Sequence, residues 1–485
     1  MKIKKLIINN FRAFKYAEIN FDDFNCIIGK NDTGKSTILA ALDWFFDSKK
    51  DLNNNDFAAA GFDWTEFNEP SFSDEFNDMI IPEKNSKEYI FDDFYVSVEL
   101  YLSDVFIPKR SEQYDYVFDK DYLNEEGYVR IIKYMYHPLS NYGKGSIYSI
   151  IAYQFKKMGK TLSDCSFEEL KKAYSEIGEN AEPLCNTLKL LKEKQKGKTG
   201  FGLSAIISRI RDEEARIKEQ MCNVIYNYYN SNGEKKEEQC VRLDNNEGQT
   251  SPFHLELPIY KLYTSKTRIE DYLNALFTPF NASQVYKSIE KAKVHTTKKI
   301  SEILNLEGIN DNLDIKENEK IDLFTQDSLV FKHKDLPLHI PLKNRGEGLQ
   351  LKIKNAVFML LTEIQTKKQI NTIFAFEEPE SHLHPSAQLE MYNTIKALSE
   401  SSNYQVIITT HSPFIVKELA KDKIEPIVVR QKAGCCESEI GKQNESVLPY
   451  ISMNEYIYIA FDEPTIEYHI ELFGYLQNKL KKNVT

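Results

Sequence analysis

The chain has 485 residues, of which 41% are hydrophobic and 28% charged, with a formal net charge of −11. That length holds about two to three domains and a sizeable core, and the composition is that of a globular protein rather than a disordered or fibrous one. The acidic bulk argues against a protein that wraps nucleic acid by itself, though not against a local basic groove, and no apolar run approaches the roughly 20 residues that span a bilayer.

Read in chain order, Met1-Lys2-Ile3-Lys4-Lys5-Leu6-Ile7-Ile8 is basic, then apolar. It turns polar too soon, at Asn9, Asn10 and Arg12, for a signal peptide and is read as a first strand. Phe11-Arg12-Ala13-Phe14 marks a bend into a second strand. A short β-prone run, Asn25–Ile28, then leads into Gly29-Lys30-Asn31-Asp32-Thr33-Gly34-Lys35-Ser36. This is the pattern G-x-x-x-x-G-K-[ST]. Its glycines let backbone N–H groups turn towards phosphates, Lys35 supplies a charge for the β- and γ-phosphates, and Ser36 offers a hydroxyl to Mg²⁺. Thr37–Phe46 carries apolar residues at helical spacing, so a phosphate would sit at a helix N-terminus. An ordinary glycine-containing turn is the alternative, and the rest of the chain counts against it.

The seven cysteines are odd in number and form no C-x-x-C pair, which argues against a disulfide framework or a zinc site. A reducing cytoplasm is the simplest setting for them. From 47 to 93 the chain is acidic, Asn-rich and aromatic without periodicity, and is read as a long irregular insertion. Strand-like alternation follows at Tyr95–Leu102, Tyr128–Tyr134 and Ile147–Tyr153. Residues 157 to about 310 read as mostly helical, for example Phe167–Lys194 and Leu203–Asn230, with breaks at Lys196–Gly200 and Asn232-Gly233. Heptads are not sustained, so a compact helical subdomain is expected rather than a coiled-coil arm. Strand-like patterns return over 320–341.

Thr372-Ile373-Phe374-Ala375-Phe376-Glu377-Glu378-Pro379 is an apolar run ending in two carboxylates. A buried strand delivers its last residues to the sheet edge where ligands bind. Glu377 would then stand beside a Mg²⁺ shell, and Glu378 where an attacking water is oriented. A core strand capped by solvated acids is the plainer alternative. Glu380-Ser381-His382-Leu383-His384-Pro385 follows, then a helix over Ser386–Glu400, then a second apolar strand, Gln405–Thr410, ending in His411-Ser412-Pro413. A histidine at such a strand end can bond a γ-phosphate. Asp462 and Glu463, ahead of Pro464, are read as solvated turn acids, and Ile466–Leu480 as a helix ending in lysines.

With these motifs together, the chain resembles an ABC-type ATPase of the RecF/SMC/OLD group. Gly29–Ser36 matches the Walker A motif, Phe374–Glu378 the Walker B motif, and Glu-Glu-Pro-Glu-x-His-Leu-His-Pro the OLD-like branch. Glu380–Pro385 covers the D-loop, and His411 matches the switch histidine. Asn344-Arg345-Gly346-Glu347-Gly348-Leu349-Gln350 is similar to the OLD-like signature, without the common Leu-Ser start. No Q-loop glutamine is assigned.

The resemblance implies an α/β fold: an ABC ATPase head with a mixed P-loop sheet, an antiparallel β subdomain and an inserted helical subdomain. The expected domains are an N-terminal lobe over 1–155, a helical insertion over 156–310, a C-terminal lobe over 311–430 and an extension over 431–485. It implies ATP and Mg²⁺ as cofactors. Gly29, Asn31, Gly34, Lys35, Ser36 and Thr37 would hold nucleotide, Ser36 and Glu377 metal, and Glu378 and His411 would be catalytic. Arg345, Gly346 and Gly348 would close on nucleotide held by a second subunit, making a homodimer or higher homo-oligomer with two composite sites. OLD nucleases continue into a metal-dependent nuclease domain, whereas the 72 residues after Pro413 are too few for one and show no clustered acid motif. The chain therefore resembles the ATPase components of bacterial anti-phage systems such as PARIS, Septu and RloA-like pairs. The expectation is a cytoplasmic sensor and scaffold that controls a separate nuclease or toxin. The competing expectations are a RecF/SMC-like repair ATPase that binds DNA, and a nucleotide-locked scaffold that barely hydrolyses.

Overall fold

In the computed structural model, β1 (Lys2–Phe11) and β2 (Phe14–Asn20) form a hairpin about the bend at Phe11 and Phe14. The structure describes residues 1–47, 52, 56, 95–107, 116–136, 146–196, 201–243, 257–264, 297–298, 300, 312–315, 329–332, 339–346, 349–350, 353, 356–357, 371–381, 383, 385–431, 438–440, 448–449 and 452–482. Two units emerge. One is built essentially from Ile3–Asn20 and Asp47–Leu257, the other from Phe21–Phe46 and Pro258–Thr485. The expected insertion over 47–93 lies almost wholly outside the described residues.

The first unit carries a six-stranded sheet. To the hairpin it adds β4 (Tyr95–Ser103), β5 (Val129–Tyr136), β6 (Ile147–Phe155) and β7 (Lys236–Leu243), in the order β2-β1-β4-β5-β6-β7. β4 through β7 pair antiparallel. Every residue of β4 except Tyr101 is buried, and Val96, Val98, Leu100 and Leu102, which share one face, are wholly so. Beside the sheet lie α2 (Phe167–Glu176), α3 (Glu182–Gln195) and α4 (Phe201–Ser231). Their core includes Leu170, Leu188, Ile217, Met221 and Ile225. The expected helix over 167–194 is thus two helices, because Pro183 can stand only in the first turn of a helix and fixes a new start there.

The second unit holds two sheets. β3 (Phe24–Ile28), β8 (Ile259–Tyr263), β12 (Thr372–Glu377), β13 (Tyr404–Thr410), β14 (Ile427–Gln431) and β15 (Ser438–Ile440) run in the order β15-β14-β3-β13-β12-β8. All neighbours are parallel except the β14–β15 pair at one edge. β13 is buried at every residue and β12 at all but its last, the pattern of strands covered on both faces. A smaller antiparallel sheet of β9 (Asn312–Ile315), β10 (Leu329–Lys332) and β11 (His339–Pro341) accompanies it. The mixed sheet with a P-loop strand, the antiparallel β subdomain and the helical subdomain are therefore all present.

The mostly helical reading of 157–310 needs correction at two places, since β7 and β8 are strands. β7 reads Lys-Glu-Glu-Gln-Cys-Val-Arg-Leu and draws its strand identity from eight register partners on β6 rather than from its own apolar pattern. β8 is five residues long and is fixed by parallel pairing with β12, more than a hundred positions away.

Candidate functional site

All the described residues of the site belong to the second unit. β3 delivers the chain into the loop from Gly29, and α1 (Lys35–Phe46) leaves it. A side chain at Gly29 is excluded, because a Cβ there would stand 2.3 Å from the backbone oxygen of Val429 on β14 and 2.7 Å from Thr33 Oγ1. Gly34, with φ at 101°, takes the left-handed bend into the helix. Thr33 Oγ1 donates to the Lys30 carbonyl at 2.9 Å and tightens the curl. Thr37 N–H closes the first turn on Gly34 O at 3.0 Å. Asn31 and Ser36 are exposed at the mouth, and Thr37 is buried behind it.

Lys35 is buried, with 5% of its side chain exposed. Its Nζ donates to the carbonyl oxygens of Gly29 at 2.9 Å and Lys30 at 2.7 Å. Burial pushes its pKa down, against the pull of Glu378, Glu380, Asp32 and Glu377. Four carboxylates thus act electrostatically on this one buried ammonium group, Glu378 most strongly.

Two neighbouring strand ends supply three of those acids and the histidine. β12 ends at Glu377, and β13, its parallel partner, ends at Thr410, one residue before His411. Glu378 has a left-handed backbone, φ 44°, and its N–H donates to Thr409 O at 3.1 Å. This turns its carboxylate back to the loop. Glu378 Oε1 lies 3.9 Å from Lys35 Nζ and 3.2 Å from His411 Nδ1. A non-glycine residue held at positive φ costs on the order of 1 kcal/mol or more and recurs where function requires a particular direction.

One acid, placed by the resemblance only as the first residue of the D-loop, has a role of its own here. Glu380 is 2% exposed and accepts hydrogen bonds from Thr410 Oγ1 and, at 3.2 Å, from the His411 N–H. Burial pushes its pKa up. The Thr410 hydroxyl also accepts from Ser412 N–H at 3.0 Å, so this acid pins the turn that presents His411. Its place in the Glu-Glu-Pro-Glu run was visible, but its burial depends on contacts with a strand about thirty residues on.

The structure therefore brings together Gly29, Gly34, Lys35, Glu377, Glu378 and His411. Arg345 packs on β10, its guanidinium 4.8 Å from the centre of the Phe331 ring. Gly346 O accepts from Leu349 N–H at 3.0 Å and Gln350 N–H at 3.2 Å, so the expected helix start stands at that glycine. Gly348 lies outside the described residues, as do His382 and His384. Asp462, read as a solvated turn acid, is 69% exposed and also pairs with Lys30 of the loop at 3.0 Å.

A family model described as an AAA ATPase domain matches residues 1–416. Among curated proteins, the chain is 40% identical over 82 residues to the Old nuclease of Escherichia phage P2, covering 16% of this chain and 14% of that one. It is 29% identical over 110 residues to the OLD nuclease of Thermus scotoductus, covering 21% and 20%. It is 49% identical over 61 residues to the DNA double-strand break repair Rad50 ATPase of Thermococcus kodakarensis, covering 12% and 7%. The chain thus spans no more than a fifth of the length of these relatives. Among solved structures, an SMC head bound to the C-winged helix domain of ScpA aligns over 91% of this chain and 97% of that one, at 14% identity and a TM-score of 0.44. The Smc head domain from Pyrococcus furiosus with an extended coiled coil aligns over 90% and 95%, at 15% identity and a TM-score of 0.40.

Proposed function

The chain belongs to the AAA ATPase domain family, over residues 1–416, and on that premise we propose that it is a two-subunit ATP clamp that senses infection and controls a separate nuclease or toxin. The observation that carries the ATP site is that Glu378 Oε1 links Lys35 Nζ, at 3.9 Å, to His411 Nδ1, at 3.2 Å, at the mouth of a phosphate loop that tolerates no side chain at Gly29.

The residues fit ATP and Mg²⁺. Lys35 Nζ rests on two backbone carbonyls, a neutral berth from which it can reach an anion at the N-terminus of α1. The donor set for a metal is one exposed hydroxyl, Ser36, and one half-buried carboxylate, Glu377. Mg²⁺ suits such a set, because it binds through one or two carboxylates together with substrate phosphates. Held by Ser36 and Glu377, Mg²⁺ would supply positive charge to offset the negative charge that develops on the phosphates. Gly29, Asn31, Gly34 and Thr37 shape the loop around the phosphates. Glu378 orients and deprotonates the attacking water. His411, facing Glu378, bonds the γ-phosphate. Arg345, Gly346 and Gly348 serve the nucleotide of a second subunit, since the N-terminus of α1 already serves the phosphates within its own. The helical segment within 156–310 is proposed as an arm for dimerisation or partner binding, and the extension over 431–485 as a further partner contact.

Replacing Glu378 with Gln tests this. ATP binding is retained, turnover falls about 10²–10⁴-fold, and a nucleotide-loaded dimer accumulates, read by light scattering. Equal turnover in wild type and variant would rule out hydrolysis as the working step. If the purified chain with Lys35 intact degraded DNA or RNA, the separate effector would be excluded. A DNA-repair ATPase is the second reading, favoured by the likeness to the Rad50 ATPase. It predicts hydrolysis stimulated by DNA, against which the net charge of −11 weighs.

A further inference from the structure

The helix Ile466–Lys482 is amphipathic in an unusual sense, because its apolar face looks outwards. Ile466, Ile470, Phe473, Leu476 and Leu480 are between 52% and 77% exposed. The opposite face is already occupied. Tyr468 is 3% exposed, stacks on Tyr458 at 5.2 Å and donates through its hydroxyl to Glu455 at 3.2 Å. Glu471 accepts from Asn454 Nδ2 at 2.7 Å. The helix is therefore fixed on the preceding helix, Met453–Phe461, with its large apolar side chains turned away. Isolated exposed apolar residues are ordinary, but five on one face of one helix form a docking stripe.

We propose that this stripe pairs with the same helix of a second copy of the chain, antiparallel and about a twofold axis at Phe473. Three features select this occupant. The spacings between the five residues are 4, 3, 3 and 4, the same in both directions. A twofold axis at Phe473 therefore sets Ile466 opposite Leu480, Ile470 opposite Leu476, and Phe473 opposite itself, as an isologous contact demands. Spacings of 3 and 4 keep all five residues on one face of the helix, as a helix-to-helix contact requires. The charges also suit antiparallel pairing: Glu463 and Glu467 stand at one end of the segment, and Lys479, Lys481 and Lys482 at the other. Each acidic end lies beside a basic end, and the two helix dipoles oppose. A parallel pair would bring like ends together.

A stripe of this size is small beside the roughly 800 Å² per partner of a stable interface. It therefore acts as a second contact, joining clamps to one another rather than closing a clamp. It needs no nucleotide, so its failure and the failure of the ATP reading are separable.

The test uses the full chain carrying Lys35→Ala, without nucleotide. Phe473→Cys gives a disulfide-linked dimer on mild oxidation, above the background of the chain's own cysteines. Ile466→Cys alone does not, because at 1.5 Å per residue the two copies of position 466 lie about 20 Å apart. Mixing Ile466→Cys with Leu480→Cys restores the cross-link. Phe473→Asp abolishes concentration-dependent association in sedimentation and leaves the circular dichroism unchanged. Cross-linking at 466 as strong as at 473, or a wild-type chain that stays monomeric at tens of micromolar, overturns the proposal. Flotation of the chain with anionic phospholipid vesicles, lost in Phe473→Asp, overturns it in favour of a membrane surface.

Discussion

Gly29 shows how little latitude the phosphate loop has. The nearest obstacle to a Cβ is the main-chain oxygen of Val429, which cannot rotate aside as a side chain could. Gly29→Ala is expected to cost about 1–3 kcal/mol through forced displacement, read as a lower unfolding midpoint together with weaker ATP binding. An unchanged midpoint would show that β14 yields freely. The glycine was legible in the sequence for its loop role, but its contact with a strand four hundred residues away was not. The same contrast separates Glu378 from Glu380. The first follows an apolar run and announces itself; the second acquires its meaning from burial against Thr410 and His411. Glu380→Gln should lower turnover while ATP binding stays close to wild type, since the acid touches the turn that carries His411 rather than the phosphate loop. Loss of ATP binding instead would assign it to the nucleotide pocket.

Among the elements, the strand–loop–helix at Gly29 and the paired strand ends at Glu377 and His411 were legible because each is a local pattern with a fixed mechanical purpose. β7 and β8 were not, because their strand character is imposed by partners. The short helical turn Asp119–Asp121 raises a separate point. Asp121 is 3% exposed and accepts from both the N–H and the hydroxyl of Ser163 at 2.7 Å. Burial nevertheless pushes its pKa up from 3.8 to about 7. The native state then holds a proton that the unfolded chain releases. The stabilisation this gives is present below pH 4 and is lost as pH rises towards 7. Asp121→Asn should flatten the fall in unfolding midpoint between about pH 4 and 7, an effect of about 4 kcal/mol at most. A parallel fall in both proteins would show that the carboxyl is ionised throughout.

At the scale of the whole molecule, the nucleotide sheet is assembled from distant parts of the chain. β3, which feeds the phosphate loop, has β13 on one side and β14 on the other. Asn25 Nδ2 donates to Val406 O across a separation of 381 residues. During synthesis, at about 5–20 residues per second, roughly 20–80 seconds pass between the emergence of the loop and that of its first sheet neighbour. Over that interval the nascent chain has a phosphate-loop sequence but no sheet to hold it. Ribosome-bound chains stalled before residue 404 should therefore fail to retain an ATP analogue, and those released past β14 should retain it. The order of the strands thus sets a delay between the making of the phosphate loop and its first ability to hold a nucleotide.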